Sequence, residues 1–202
     1  MGRRLTPDDV ARIAPGGHYI ALRIGFAFPM EEVNLYPADW IDHYTRNRLM
    51  LFDPVMRWAY STTGFARWSD LRHDDPKGVL GMAAAFGLRF GLTVSVFDDN
   101  SEGQRSFASF ARADREFDDL EARLLLAFLT RRHAEMVPPR NLTPAELEAL
   151  TMVKDGKRLK QIAFDLGVTE GAVKQRLKNA KIKLQAKTST QAATMARQFK
   201  LI

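Results

Sequence analysis

The chain is expected to fold as α+β: an N-terminal α/β/α sandwich around a largely antiparallel sheet, followed by a C-terminal all-α domain of four helices. Three observations predict this. Charge is the first: residues 141–202 hold 12 Lys and Arg against 5 Asp and Glu, whereas residues 1–140 hold 18 against 19. Aromatic side chains divide the other way, since only Phe164 and Phe199 of 20 lie beyond residue 140. Third, period-two apolar patterns occur only in the first part, and the last 62 residues carry helical spacing alone. The join, Met136-Val137-Pro138-Pro139-Arg140-Asn141, carries two prolines that stop a helix and push the preceding residues out of the α region. The expected division is therefore residues 1–137, a linker at 138–141, and residues 142–202.

Composition removes several classes. There is no cysteine, hence no disulfide framework, thiol nucleophile or Cys-ligated metal. No run of about 18 apolar residues offers a membrane span. Met1-Gly2-Arg3-Arg4 is basic but leads into no apolar run, so no secretory signal is expected and the cytoplasm is the expected compartment.

Residues 5–13 read as a short helix opened by Thr6-Pro7. From Ile20 the pattern alternates, with Ile20, Leu22, Ile24, Phe26 and Phe28 on one face and Ala21, Arg23, Gly25 and Ala27 on the other, as in a strand with one face on a core. Pro29 and Glu31-Glu32 predict a turn, and residues 33–36 a returning strand. Pro37 opens a helix to residue 49, and Asp53-Pro54 reads as an N-cap and first helical residue of another reaching residue 60. Residues 78–90 carry apolar side chains at helical spacing. Residues 93–97 and 104–111 flank the polar turn 98–103 as a β-hairpin. Residues 116–137 form a long amphipathic helix through Leu120, Leu124, Ala127, Phe128 and Arg131. In the basic part, helices are expected from Pro144 to Val153 and over 157–166, 169–185 and 190–198.

The second and third of these carry a helix-turn-helix pattern. Ala163 is small where a second helix crosses closely, Gly167 supplies a left-handed turn, Val168 plugs the corner and Thr169 caps the next helix. Val173 and Leu177 bury its inner face, leaving Glu170, Gly171, Lys174, Gln175 and Lys178 outward, toward a DNA major groove. Lys174 and Lys178 can donate to guanine O6/N7 or phosphate. Lys157, Arg158, Lys160, Lys181 and Lys183 are expected phosphate contacts. Charge alone would equally suit RNA or an acidic membrane; the coincidence of small, turn and apolar positions favours double-stranded DNA.

In the first part, Tyr36, Trp40, Tyr44, Asp53 and Trp68 supply aromatic walls, hydroxyl and indole N–H donors, and one carboxylate acceptor. Trp40 and Tyr44 share a helix face. A ligand with carbonyl acceptors, one N–H donor and an apolar tail fits this set, and an N-acyl homoserine lactone has that inventory. The residues alone leave the alternative open: aromatic stripes build cores, and Asp53 before Pro54 caps a helix.

Residues 142–202 resemble the DNA-binding domain of LuxR-type transcription regulators through Leu142-Thr143-Pro144-x-Glu146, Gly156-Lys157, Ile162-Ala163, Val168-Thr169, Val173-Lys174, Leu177, Lys183-Leu184 and Leu201-Ile202. The resemblance implies dimerisation partly through the last helix, with Ala192, Ala193, Ala196 and Phe199 as candidate contacts; packing inside the monomer is the alternative for these four. Tyr36-x3-Trp40-x3-Tyr44-x8-Asp53-Pro54-Val55, then Trp68 and Phe86-Gly87-x3-Gly91-x-Thr93-Val94, resemble the autoinducer-binding domain of the quorum-sensing members. Carried over, Trp40 donates to a lactone carbonyl, Asp53 accepts the ligand amide N–H, and Tyr36 bonds an acyl carbonyl. Ser109 reaches the ligand, Tyr44 and Trp68 wall the pocket, and Gly91 permits a close backbone approach. Ser95 departs from the proline usual after Thr-Val.

The function implied is a ligand-responsive, sequence-specific regulator without a cofactor, binding as a homodimer to a DNA operator of two-fold symmetry, with no membrane partner. The alternatives are an orphan regulator that binds another small molecule or none, and an antagonist pairing with a related regulator. No enzyme is expected: HExxH, HxH and Gly-x-Ser-x-Gly spacings are absent, and His18, His43, His73 and His133 are scattered.

Overall fold

The computed structural model describes residues 5–24, 28–98, 103–137 and 139–202. The expected strand positions Gly25, Phe26 and Ala27, the turn residues 99–102 and Pro138 of the join lie outside them. The chain divides into two compact units, Met1–Met136 and Val137–Ile202.

In the first unit a five-stranded antiparallel sheet has the order β2-β1-β5-β4-β3. The strands are β1 (Gly17–Ile24), β2 (Glu31–Asn34), β3 (Gly64–Arg67), β4 (Phe90–Phe97) and β5 (Arg105–Arg112). Helices α1 (Pro7–Ile13), α2 (Ala38–Arg46), α3 (Pro54–Ser61), α4 (Trp68–Leu71), α5 (Val79–Ala85) and α6 (Asp119–Glu135) complete it. β5 lies between β1 and β4 and is buried from Ser106 to Arg112 on both faces. Its Phe107 and Ser109 look toward α2–α5, while Ser106 meets α6 through His133.

Several boundaries differ from the sequence expectation, each for a local reason. Glu31 and Glu32 belong to β2 rather than to a turn: on this edge strand Glu31 pairs with Arg132 on one face and Glu32 accepts from the Tyr19 hydroxyl on the other. Pro37 is the N-cap of α2 rather than part of its first turn, and the helix stops at Arg46 before a short 3-10 turn, Leu49–Leu51. α5 is shorter than the apolar spacing predicts: Gly87 takes φ +85°, which ends the helix, and Phe90 opens β4. β3 and α4 have no counterpart in the expectation.

The expected face of β1 is corrected most. Ala21 pairs with Phe107 but Ile24 with Arg105, so β1 carries one extra residue, and Arg23 takes φ +49°. The bulge moves Ile24 to the face of Tyr19 and Ala21, away from Ile20 and Leu22. Phe28, expected inward, is exposed. The bulge also turns Arg23 into a buried network, only 4% exposed. Its Nε donates to the His133 carbonyl at 2.9 Å and its guanidinium pairs with Asp98. Ser106 Oγ accepts the Arg23 N–H at 2.8 Å and is hydrogen-bonded to His133 Nδ1 at 2.6 Å, and His133 Nε2 meets Asp98 Oδ1 at 2.9 Å. Burial opposes ionisation of Asp98, yet hydrogen bonds from Arg23 and His133 prevail and hold its pKa below the ordinary carboxylate value. This Ser–His–Asp chain ties α6 to the sheet; Ser106 is wholly enclosed.

α6 is also rotated from expectation. Leu120 and Leu124 are exposed, at 67% and 37%, and Ala127 is exposed; the buried face is Ala122, Leu125, Phe128, Leu129 and His133. Asp118 and Glu121 cap its start reciprocally, at 2.8 and 3.0 Å.

The second unit is helical throughout: α7 (Pro144–Lys154), α8 (Leu159–Asp165), α9 (Glu170–Lys183) and α10 (Ser189–Gln198). Its core joins Leu150, Ile162, Val173, Leu177 and Leu184 with the small residues of α10. Glu146 is 3% exposed. It closes the cap of α7 with Thr143 and accepts from Lys183 Nζ at 2.8 and 2.9 Å. No helix among the described residues is long and apolar enough to cross a membrane.

Replacing Arg23 by Met leaves Asp98 and the His133 carbonyl without their buried donor. The expected loss is about 3–5 kcal/mol. All three tryptophans, Trp40, Trp58 and Trp68, lie in the first unit, so urea unfolding followed by indole fluorescence reads it directly; a loss below ~1 kcal/mol contradicts a closed network.

Candidate functional site

Between the sheet and helices α2–α5 lies a cavity of about 220 Å³. Tyr36, Trp40, Tyr44, Asp53, Trp68 and Ser109 all line it. Five separate local structures deliver them. Tyr36 follows β2; Trp40 and Tyr44 stand one turn apart on α2; Asp53 caps α3; Trp68 begins α4; Ser109 projects from β5.

Asp53 performs the capping role and also faces the cavity. Its Oδ1 accepts the Val55 N–H at 2.8 Å, and its Oδ2 accepts the Tyr44 hydroxyl at 2.7 Å. Burial raises the carboxyl's pKa, with the Tyr44 and Val55 hydrogen bonds opposing. Burial and the facing Asp53 carboxylate push the Tyr44 phenol up as well. A carboxylate has about four lone-pair sites, so acceptor capacity remains beyond these two bonds.

Tyr36 differs. Its hydroxyl is buried, its pKa raised by that burial with the nearby Ser109 hydroxyl opposing, and no hydrogen bond of acceptable geometry reaches it. An unpaired buried hydroxyl costs on the order of 1–3 kcal/mol, so this group is poised for a partner. Trp68 Nε1 donates to Ser109 Oγ at 3.2 Å, and Thr93 Oγ1 lies 3.4 Å from the same oxygen. Gly91 makes the indole's position possible, because a Cβ there would fall inside the Trp68 ring. Trp40 packs edge-on to Tyr44 at 5.4 Å and against Phe86 at 5.5 Å.

The cavity has further walls that the sequence did not single out: Tyr19, Met56, Val79, Leu80, Ala83 and Phe107. Their shared signal is weak, an apolar side chain on the inner face of a strand or helix. Glu32, Asn34, Thr45 and Met50 are exposed and form the rim.

In the second unit α8 and α9 meet through a turn at Gly167, φ +62°. Val168 N–H returns to the Ala163 carbonyl at 3.0 Å. Thr169 caps α9, its Oγ1 accepting from Ala172 at 3.1 Å. Val173, Leu177 and Ala180 are buried, whereas Gly171, Lys174, Gln175 and Lys178 are exposed on the opposite side and Glu170 is half-buried. Gln175 leans on Asn179 at 2.8 Å. Lys160 is exposed on α8 beside Phe164, which is 86% exposed.

Two expectations are corrected here. Lys183 is engaged by Glu146 and by the Asn141 carbonyl, so it holds the fold rather than a phosphate. Lys157, though it pairs with Asp165 at 2.7 Å, remains exposed and keeps its expected place on the surface. Ala192, Ala193, Ala196 and Phe199 are buried inside the unit, chiefly under α7, because small residues let the last helix approach closely; they offer no face to a second chain.

Comparison with known proteins agrees with this two-part arrangement. The family model "Autoinducer binding domain" matches residues 30–135, and that of "Bacterial regulatory proteins, luxR family" matches residues 140–196. The chain belongs to the LuxR-type autoinducer-binding transcription regulators: its effector is a small-molecule autoinducer and its output is DNA binding. Similar proteins include the transcriptional activator AhyR of Aeromonas hydrophila, 28% identical over 87% of this chain and 77% of that protein. SdiA of Escherichia coli is 29% identical over 80% of this chain and 72% of its own length. The quorum-sensing regulator RhlR of Pseudomonas aeruginosa is 28% identical over 89% and 79%. Among solved structures, a crystal form of Escherichia coli SdiA aligns with TM-score 0.44 and 26% identity over 92% of this chain and 83% of that one.

Gly91→Ala is expected to drive the Trp68 indole from its slot. Overpacking of this kind costs about 1–3 kcal/mol. The variant should lose that stability and show red-shifted indole emission; an unaltered spectrum and melting midpoint contradict the close approach.

Proposed function

We propose that the cavity receives an N-acyl homoserine lactone and that its occupancy governs operator binding. The observation that carries this reading is the buried, unpartnered Tyr36 hydroxyl in the same cavity as the Asp53–Tyr44 pair. Tyr36 supplies a donor for an acyl carbonyl, Trp40 a donor for the lactone carbonyl, and Asp53 an acceptor for the amide N–H. Trp68, Tyr44 and Ser109 enclose the head group. All of these come from residues 1–137, read as the ligand-binding domain; residues 138–141 are the linker and residues 142–202 the DNA reader.

A ligand that binds only the folded state stabilises it by mass action, about 2.7 kcal/mol at 100-fold excess over Kd. The stabilised protein then acts in the cytoplasm as a homodimer, offering two helix-turn-helix units to an operator of two-fold symmetry. Leu120, Leu124 and Ala127 support dimerisation better than α10 does, as an exposed apolar stripe on α6. On α9, Gly171 lets the backbone approach the groove. Thr169, Glu170, Lys174, Gln175 and Lys178 face base edges and phosphates, and Lys160 meets a phosphate. No step in this reading is catalytic; the protein binds its ligand and releases it unchanged.

Tyr36→Phe separates the ligand reading from a core role. Removing an unpaired hydroxyl should leave the unliganded melting temperature unchanged or higher, while lactone affinity falls by about 2- to 10-fold, one hydrogen bond's worth. Titration calorimetry and thermal melting check both; equal lactone affinity, or no lactone stabilisation of the wild-type chain, overturns the reading.

For the reader domain, Lys174→Ala should weaken operator binding by about 1–3 kcal/mol and relax base preference, if its ammonium reaches a guanine edge. A footprint and salt slope identical to wild type remove that assignment.

A further inference from the structure

The cavity's shape bears on which acyl tail it can hold, a question that rests on the lactone reading above. The head-group end is deep, at Trp40, Trp68 and Ser109, all buried. Met56, Val79, Leu80 and Ala83 wall the helical side, and past them a tail meets the strand or the rim. One way runs along β5, where the next residue on the same face is Phe107, about 7 Å from Ser109 at strand spacing. Phe107 is 1% exposed and its ring is held between two others, Tyr19 at 5.6 Å and Tyr60 at 5.5 Å. Tyr19 is fixed in turn by its hydroxyl, which donates to Glu32 Oε1 at 2.9 Å. Behind Phe107 the space is filled, since Ala21 and Ala59 pack against it as a buried cluster. The other way leads to the rim, where Glu32, Asn34, Thr45 and Met50 are exposed and all but Met50 are polar. A methylene there stays largely in water and gains little from burial.

We infer that Phe107, clamped by Tyr19 and Tyr60, sets the tail length and makes this receptor selective for short acyl chains of about six carbons or fewer, the reach of ~1.5 Å bonds over ~7 Å of strand. The cavity's 220 Å³ agrees, falling below the ~300–1,000 Å³ usual for drug-sized ligands.

The test is titration calorimetry of the full-length chain with a straight-chain N-acyl homoserine lactone series from butanoyl to dodecanoyl. Affinity should rise by about fourfold per methylene up to hexanoyl, the transfer free energy of a buried CH2, and fall beyond it. Phe107→Leu should move the optimum to octanoyl or longer. Tyr19→Leu, at a half-buried position, should do the same and replaces the first variant if that one fails to fold. Dodecanoyl lactone binding the wild type more tightly than hexanoyl overturns the length limit while leaving the lactone reading intact. An optimum unmoved in a folded variant overturns the role of the aromatic clamp. Absence of binding at every length overturns the lactone reading and this inference together.

Discussion

A carboxylate withdrawn from water must find donors for its charge or give the charge up, and Asp53 is where this chain meets that constraint. The solution uses one side chain to organise two elements. The backbone N–H of Val55 fixes the start of α3, the Tyr44 hydroxyl ties in α2, and the carboxylate lines the cavity. Because α2 carries Trp40 one turn before Tyr44, fixing Tyr44 also fixes the indole that shares its face. The polar end of the cavity is thus preorganised before a ligand enters, and the buried Tyr36 hydroxyl keeps an open hydrogen-bonding demand.

The sheet completes the enclosure through small residues as much as large ones. Gly91 gives Trp68 its slot, and Ala21 and Ala59 let Phe107 sit flush. On the opposite face the Arg23–Asp98–His133–Ser106 network does for α6 what Asp53 does for α2 and α3, pairing buried polar groups with one another. β5 joins the two faces, with Ser106 in that network and Phe107 in the cavity wall. The second unit repeats the logic on a smaller scale. Glu146 and Lys183 neutralise each other inside it, leaving Lys174, Lys178 and Lys160 on its exposed surface.

Much of this was legible in the sequence, and the failures have physical causes. Capping and turn chemistry is local, so the Asp53-Pro54 start, the Gly167 turn and the Thr143 and Thr169 caps fall where their residue types predict. Helical spacing put Trp40 and Tyr44 on one face of α2, and the resemblance to the autoinducer-binding domain joined Tyr36, Asp53, Trp68 and Ser109 to them. Period-based readings failed where both faces of an element are apolar or where the period breaks. β1 slips by one residue at a bulge that nothing in Leu22-Arg23-Ile24 announces. α6 contains Leu124-Leu125-Leu126, which permits two apolar faces; tertiary packing chose the one ending at His133, a polar residue that periodicity discounts. β3 is four residues of an edge strand, Gly64-Phe65-Ala66-Arg67, too short to show alternation. The phosphate role expected of Lys183 failed because an ion pair 37 residues apart in sequence has no local signature.

The central claim, that a lactone occupies the cavity beside Asp53 and stabilises the segments around it, is tested most directly by hydrogen–deuterium exchange of the full-length chain with and without saturating N-hexanoyl homoserine lactone. The account predicts slowed exchange in Ala38–Arg46, Pro54–Ser61 and Arg105–Arg112, the segments that converge on the cavity. Exchange in those three segments that is the same with and without lactone would contradict it.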